Sequence, residues 1–60
     1  MTRLDAWILA VARDAEYQHE RRRFDKALAA ARFDEAKQIA AQMAAIADAI
    51  AKRLKAERVN

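Results

Sequence analysis

The sequence predicts an all-α fold, in which an antiparallel helical hairpin associates into a helical bundle as a single domain spanning residues 1–60. Two observations on composition support this: the chain contains no Gly and no Pro, and 17 of its 60 residues are Ala. A third is the recurrence of large apolar residues every three or four positions in the C-terminal half. Because Gly and Pro make the tight turns and bulges of β-structure, a β-rich fold is nearly excluded.

The first helix is expected to run from about residue 3 to residue 31. Thr2 and Asp5 have the spacing of a capping box, which marks a helix start. At about 100° of rotation per residue, the helix carries two apolar stripes offset by about 140°. The N-terminal stripe, expected to meet another copy or a different partner, is formed by Leu4, Trp7, Ile8, Val11 and Ala15.

The second helix is expected at about residues 34–58. Asp34 and Glu35 would lie in its first turn, where the helix dipole favours carboxylates. Its apolar residues step by three and four, which is typical of a helix that presents one seam to a partner. The expected core of the hairpin comprises Phe24, Leu28, Phe33, Ile39, Met43, Ile46, Ile50 and Leu54.

A single long coiled-coil helix is the alternative, because no strong helix breaker lies between residues 27 and 36 and a heptad can be written through the chain. In that helix, however, Gln18, Arg22, Asp25 and Arg32 would occupy the seam while Phe24 and Leu28 pointed away. A turn near Arg32 and Phe33 returns both apolar residues to a buried face. Side-chain burial therefore favours the hairpin.

The stretch from Phe24 to Ile46 resembles the UVR motif, a short helical hairpin of nucleotide-excision-repair proteins and some protease adaptors. Phe33-Asp34-Glu35-Ala36 would form the bend of that motif, and Ile39, Met43 and Ile46 its apolar ladder. The Arg-Asp pair usual after the first ladder residue is Ala40-Ala41 here. The resemblance implies a hairpin that docks on other proteins.

Catalysis is not expected. The chain has one His, no Cys, and hydroxyl groups only at Thr2 and Tyr17, which leaves little from which to build a nucleophile, a base and an oxyanion hole. We therefore expect neither an enzyme nor a cofactor. Glu16-x-x-His19 has the spacing used by metal-binding helical bundles, so a metal-binding bundle is the third alternative, although these residues lie in the most hydrophilic stretch of the sequence.

Charge is unevenly distributed within the net +3 of the chain. Residues 19–32 carry five basic against two acidic side chains. Such a segment can neutralise phosphates or attract an acidic partner, so a small RNA- or DNA-binding regulator is the second functional alternative. Its contact residues would be Arg21, Arg22, Arg23, Lys26 and Arg32.

The first functional prediction is a non-enzymatic protein–protein interaction or regulatory module that forms homo-oligomers. A 60-residue chain buries only about 60% of its unfolded surface, and no disulfide can supplement its core. The longest apolar stretch, residues 7–12, is too short to span a bilayer. We therefore expect no membrane partner, and the cytoplasm is the expected compartment.

Overall fold

The computed structural model describes residues 2–57, and this part of the chain is all-α, as predicted. It contains three helices: α1 (Arg3–Arg13), α2 (Ala15–Ala29) and α3 (Phe33–Glu57). Helices α2 and α3 form the expected hairpin, and α1 packs more lightly on α3. The expected end of the second helix at about residue 58 lies outside the described residues. None of the three helices is long and apolar enough to cross a membrane.

Helix α1 begins at the predicted capping box. The Thr2 hydroxyl accepts a hydrogen bond from the Asp5 amide at 3.1 Å, and the Asp5 carboxylate accepts one from the Thr2 amide at 3.2 Å. Both bonds satisfy backbone N–H groups that a helix start leaves without an intrahelical partner.

The sequence predicted one continuous helix from residue 3 to residue 31. The structure has two helices instead, because the chain breaks at Asp14. This residue is extended (φ −69°, ψ 124°), and its carboxylate caps α2 by accepting a hydrogen bond from the Tyr17 amide at 2.8 Å. Across the break, the Gln18 side chain donates to the Ala12 carbonyl at 2.6 Å. A straight helix could not turn both of its apolar stripes towards α3, whereas two helices can orient them independently.

The turn between α2 and α3 excludes the alternative of one long helix. Ala30 and Ala31 form this turn, slightly before the position expected from the sequence. Ala31 has a left-handed φ of 58°. Its amide donates to the Leu28 carbonyl at 3.0 Å, and the Arg32 amide donates to the Ala27 carbonyl at 2.8 Å, which together form a Schellman C-cap.

The core lies between α2 and α3 and is small. Its buried cluster contains Ala27, Ala36 and Ile39, with Phe24 and Met43 packed against it. Further along α3, Ile50 is buried, and Ile46 and Leu54 are half-buried.

Two residues expected in this core are instead exposed: Leu28 at 43% and Phe33 at 62%. Because the small side chain of Ala27 faces α3, its neighbour Leu28 is rotated about 100° away from the contact. Phe33 begins α3 at the end of the helix pair, where little of α2 remains to cover it.

Trp7 joins α1 to the hairpin. Its indole Nε1 donates a hydrogen bond to the Ala47 carbonyl of α3 at 2.9 Å. The residues of α1 that are partly covered lie around this contact, and α1 has no fully buried residue. The half-buried residues of α1 are Ala6, Trp7, Ala10 and Val11.

Candidate interaction surface

The N-terminal apolar stripe is divided by the fold. Trp7 and Val11 are half-buried within the chain, whereas Leu4 and Ile8 remain 60% and 50% exposed. Ala15 is exposed at the start of α2. Leu4 and Ile8 are therefore the two large apolar residues of this stripe that remain exposed. We call Leu4 and Ile8 the α1 patch.

A second apolar pair lies at the other end of the hairpin, beside the turn. Leu28 is the second-last residue of α2, and Phe33 is the first residue of α3. Their exposure leaves two large side chains in contact with water where a packed core was expected. We call Leu28 and Phe33 the turn patch.

A shallow apolar groove runs along one side of the hairpin between α2 and α3. Small side chains of α3 form one wall, and two aromatic side chains of α2 form the other. The spacing of residues 33, 40, 44 and 47 places Phe33 on the same stripe of α3 as the groove, and Leu28 follows Phe24 by one helical turn. The residues that line the groove are Tyr17, Phe24, Ala40, Met43, Ala44 and Ala47.

The groove ends where α1 meets α3. Ala47 lines the groove and also accepts the Trp7 hydrogen bond. Leu4 and Ile8 lie three residues before and one residue after Trp7, so the α1 patch belongs to the helix that contacts α3 at this end of the groove. The turn patch lies at the opposite end of the groove.

Another depression lies on a different side of α3 and is bounded by charged groups. Asp14 and Glu16 border it on the α2 side, and Arg53 borders it on α3. Ala45, Ile46, Ala49 and Ile50 form its floor. Its charged rim makes it less suited to apolar docking than the groove, whose lining carries no charged side chain.

The basic residues predicted to contact nucleic acid are not gathered on one face. Arg21, Arg22 and Arg23 are consecutive, so they are spread over about 200° of the α2 circumference. Arg23 is held by Glu20, with its Nη1 at 2.9 and 3.1 Å from the two carboxylate oxygens. Arg32 Nη1 lies 3.6 Å from Glu35 Oε2, and Lys26 is exposed. Nucleic-acid binding stays a prediction.

The pair proposed for a metal site is exposed. Glu16 and His19 both lie on the solvent side of α2. Among residues 2–57, no group of three or more His, Cys, Asp or Glu side chains is placed to hold a metal ion.

Sequence reasoning missed two features of this region. Glu20, which is only 8% exposed, occupies the face of α2 that carries Phe24 and Ala27. The sequence feature that pointed to a paired Glu20 was Arg23, which lies three residues later, at the spacing of an intrahelical ion pair. The groove was also missed, although the spacing of Ala40, Ala44 and Ala47 indicated a small-residue stripe.

No protein family, curated protein or solved structure matches this chain. The resemblance to the UVR motif stays a prediction from the residues alone.

Proposed function

We propose that this protein is a non-enzymatic interaction module that works by self-association through its exposed apolar helix faces. The observation that carries this proposal is the exposure of Leu4, Ile8, Leu28 and Phe33 in a chain with a very small core. In the part of the chain that the structure describes, the buried apolar residues are Ala27, Ala36, Ile39 and Ile50, and two of these four are alanines.

The accessible surface supports the same proposal. The chain exposes 4873 Å², whereas the scaling of area with mass gives about 3,950 Å² for a compact monomer of this size. The difference of about 900 Å² is close to the area of about 800 Å² that each partner contributes to a standard protein–protein interface. Association of two copies would bring the exposed area per chain into the normal range.

The shape of the chain explains this excess. It measures 45 × 17 × 16 Å, and its radius of gyration is 13.4 Å, against about 10.4 Å for a compact domain of 60 residues. In a slender hairpin, each helix packs on its neighbour along one face only. A second hairpin would cover further apolar faces of these helices, which is the usual arrangement of helical bundles.

The test is the mass in solution of the wild type and of Ile8→Asp at two protein concentrations. We expect the wild type to exceed the mass of one chain. Ile8→Asp should lower that mass, because an unpaired carboxylate in an apolar interface costs several kcal/mol. The matched control is Leu9→Asp. Leu9 is also an exposed apolar residue of α1, at 39%, but it lies about 100° away from Ile8 and outside the α1 patch, so this variant should keep the wild-type mass.

A wild-type chain that remains monomeric at both concentrations would contradict self-association. The α1 patch would then be free to dock on a different protein. A regulatory role and the cytoplasm as the compartment stay expectations from the sequence.

A further inference from the structure

We infer that the apolar groove receives a second copy of this chain, packed antiparallel, so that the α1 patch of each copy meets the turn patch of the other. This inference rests on the proposed self-association and adds to it the surface and the orientation. The groove is lined by Tyr17, Phe24, Ala40, Met43, Ala44 and Ala47.

The lining of the groove suits a helix more than a small molecule. Ala40, Ala44 and Ala47 form an open wall along α3, and the distance between packed helices decreases with the size of the side chains at the contact. Helices of a second hairpin can therefore approach closely here. Tyr17 and Phe24, which are half-buried in the single chain, would become covered.

A second copy fits both ends of the groove. A two-fold axis that passes through the groove, perpendicular to the hairpin, exchanges the two ends of the hairpin. Each exposed pair then meets the other exposed pair, and the assembly is closed at two copies. Over the whole chain, the excess surface of about 900 Å² is comparable with the area that each partner contributes to one standard interface.

Charge favours the antiparallel orientation over the parallel one. Residues 19–37, around the turn, carry six basic and four acidic side chains, a net charge of +2, whereas residues 2–18 and 48–57, at the other end of the hairpin, carry five basic and five acidic side chains. A parallel pair would align the two +2 ends with each other. The antiparallel pair places each +2 end beside an end of the partner that has no net charge, which avoids like-charge repulsion.

The surface is tested by Ala44→Glu, with Ala41→Glu as its matched control. Both residues are exposed alanines inside α3, and only Ala44 lines the groove. We expect both variants to stay helical by circular dichroism. Ala44→Glu should raise the dissociation constant of the dimer by about 100-fold or more, and Ala41→Glu should leave it close to the wild-type value.

The orientation is tested by oxidising mixtures of two single-cysteine variants, Leu4→Cys and Phe33→Cys. The natural chain has no Cys, so every disulfide formed joins the introduced residues. The antiparallel arrangement predicts the mixed disulfide as the main product, identified by mass. Predominant pairing of Phe33→Cys with itself would overturn the orientation.

The failures of the two proposals are distinguishable. If the wild type is an oligomer and Ala44→Glu keeps its dissociation constant, the groove is not the interface, while self-association stands. If the wild type is a monomer at all concentrations, both proposals fail.

Discussion

Ala31 is the residue at which the backbone departs furthest from the preference of its side chain. Its φ of 58° at the C-cap of α2 brings Cβ close to the following carbonyl oxygen, which disfavours this conformation by about 1–2 kcal/mol in residues other than Gly. The two Schellman hydrogen bonds and the packing of the hairpin offset this strain.

Ala31→Gly should therefore stabilise the protein by about 0.5–1 kcal/mol, because the relief of strain exceeds the additional entropy of the unfolded chain. Urea unfolding at one fixed protein concentration measures the change. The control is Ala41→Gly, at an exposed position inside α3, which should destabilise by up to about 1 kcal/mol. A loss of stability in Ala31→Gly would show that the left-handed conformation is not populated in solution.

Glu20 is the other residue whose environment is unusual. It is buried to 8% exposure on the face of α2 that meets α3, and Arg23, which holds it, is itself about half exposed. The pair is therefore partly open to water, which limits its contribution to stability. Glu20 therefore places a polar side chain on the face of α2 that otherwise carries the apolar residues Phe24 and Ala27.

At the scale of the elements, the break at Asp14 determines how the chain uses its two apolar stripes. The Asp14 carboxylate caps α2, and the Gln18 amide group satisfies a carbonyl at the end of α1. The same break allows Trp7 to reach the Ala47 carbonyl. Helix α1 is held to the hairpin by this contact and by a few half-buried residues.

Asp14→Ala should lower the free energy of unfolding by about 1 kcal/mol, because the Tyr17 amide loses its partner at the start of α2. Asp14→Asn is the control, since its side-chain oxygen can accept the same hydrogen bond and its effect should be much smaller. Tryptophan fluorescence would report the position of α1 in both variants through Trp7. Equal stability of Asp14→Ala and the wild type would contradict a stabilising cap at Asp14.

At the scale of the whole molecule, the ratio of surface to core is the dominant property. With four buried apolar residues among residues 2–57 and a radius of gyration of 13.4 Å, the chain has little to oppose the entropy of unfolding. Its stability should then depend on contacts between copies as well as on contacts within one copy.

The midpoint of thermal unfolding should therefore rise with protein concentration, because mass action favours the folded oligomer over unfolded chains. Circular dichroism melts over a hundredfold range of concentration would measure this. Ile8→Asp serves as the control, since a variant that no longer associates should have a midpoint independent of concentration. A wild-type midpoint that does not change would contradict the coupling of folding to association.

The sequence alone determined the features that depend on neighbouring residues. The absence of Gly and Pro and the abundance of helix formers predicted an all-α fold, and Thr2 with Asp5 predicted the start of α1. These interactions are confined to a few consecutive residues, so local propensity and capping chemistry are sufficient to predict them.

The tertiary structure decided which side of each helix is covered. Leu28 was expected to be buried because it is large, but the close approach of two helices selects Ala27 for the contact and leaves its neighbour exposed. Likewise, the break at Asp14 lets α1 and α2 each contact α3. The energy of such contacts depends on residues distant in the chain, and a pattern of spacing within one helix does not contain that information.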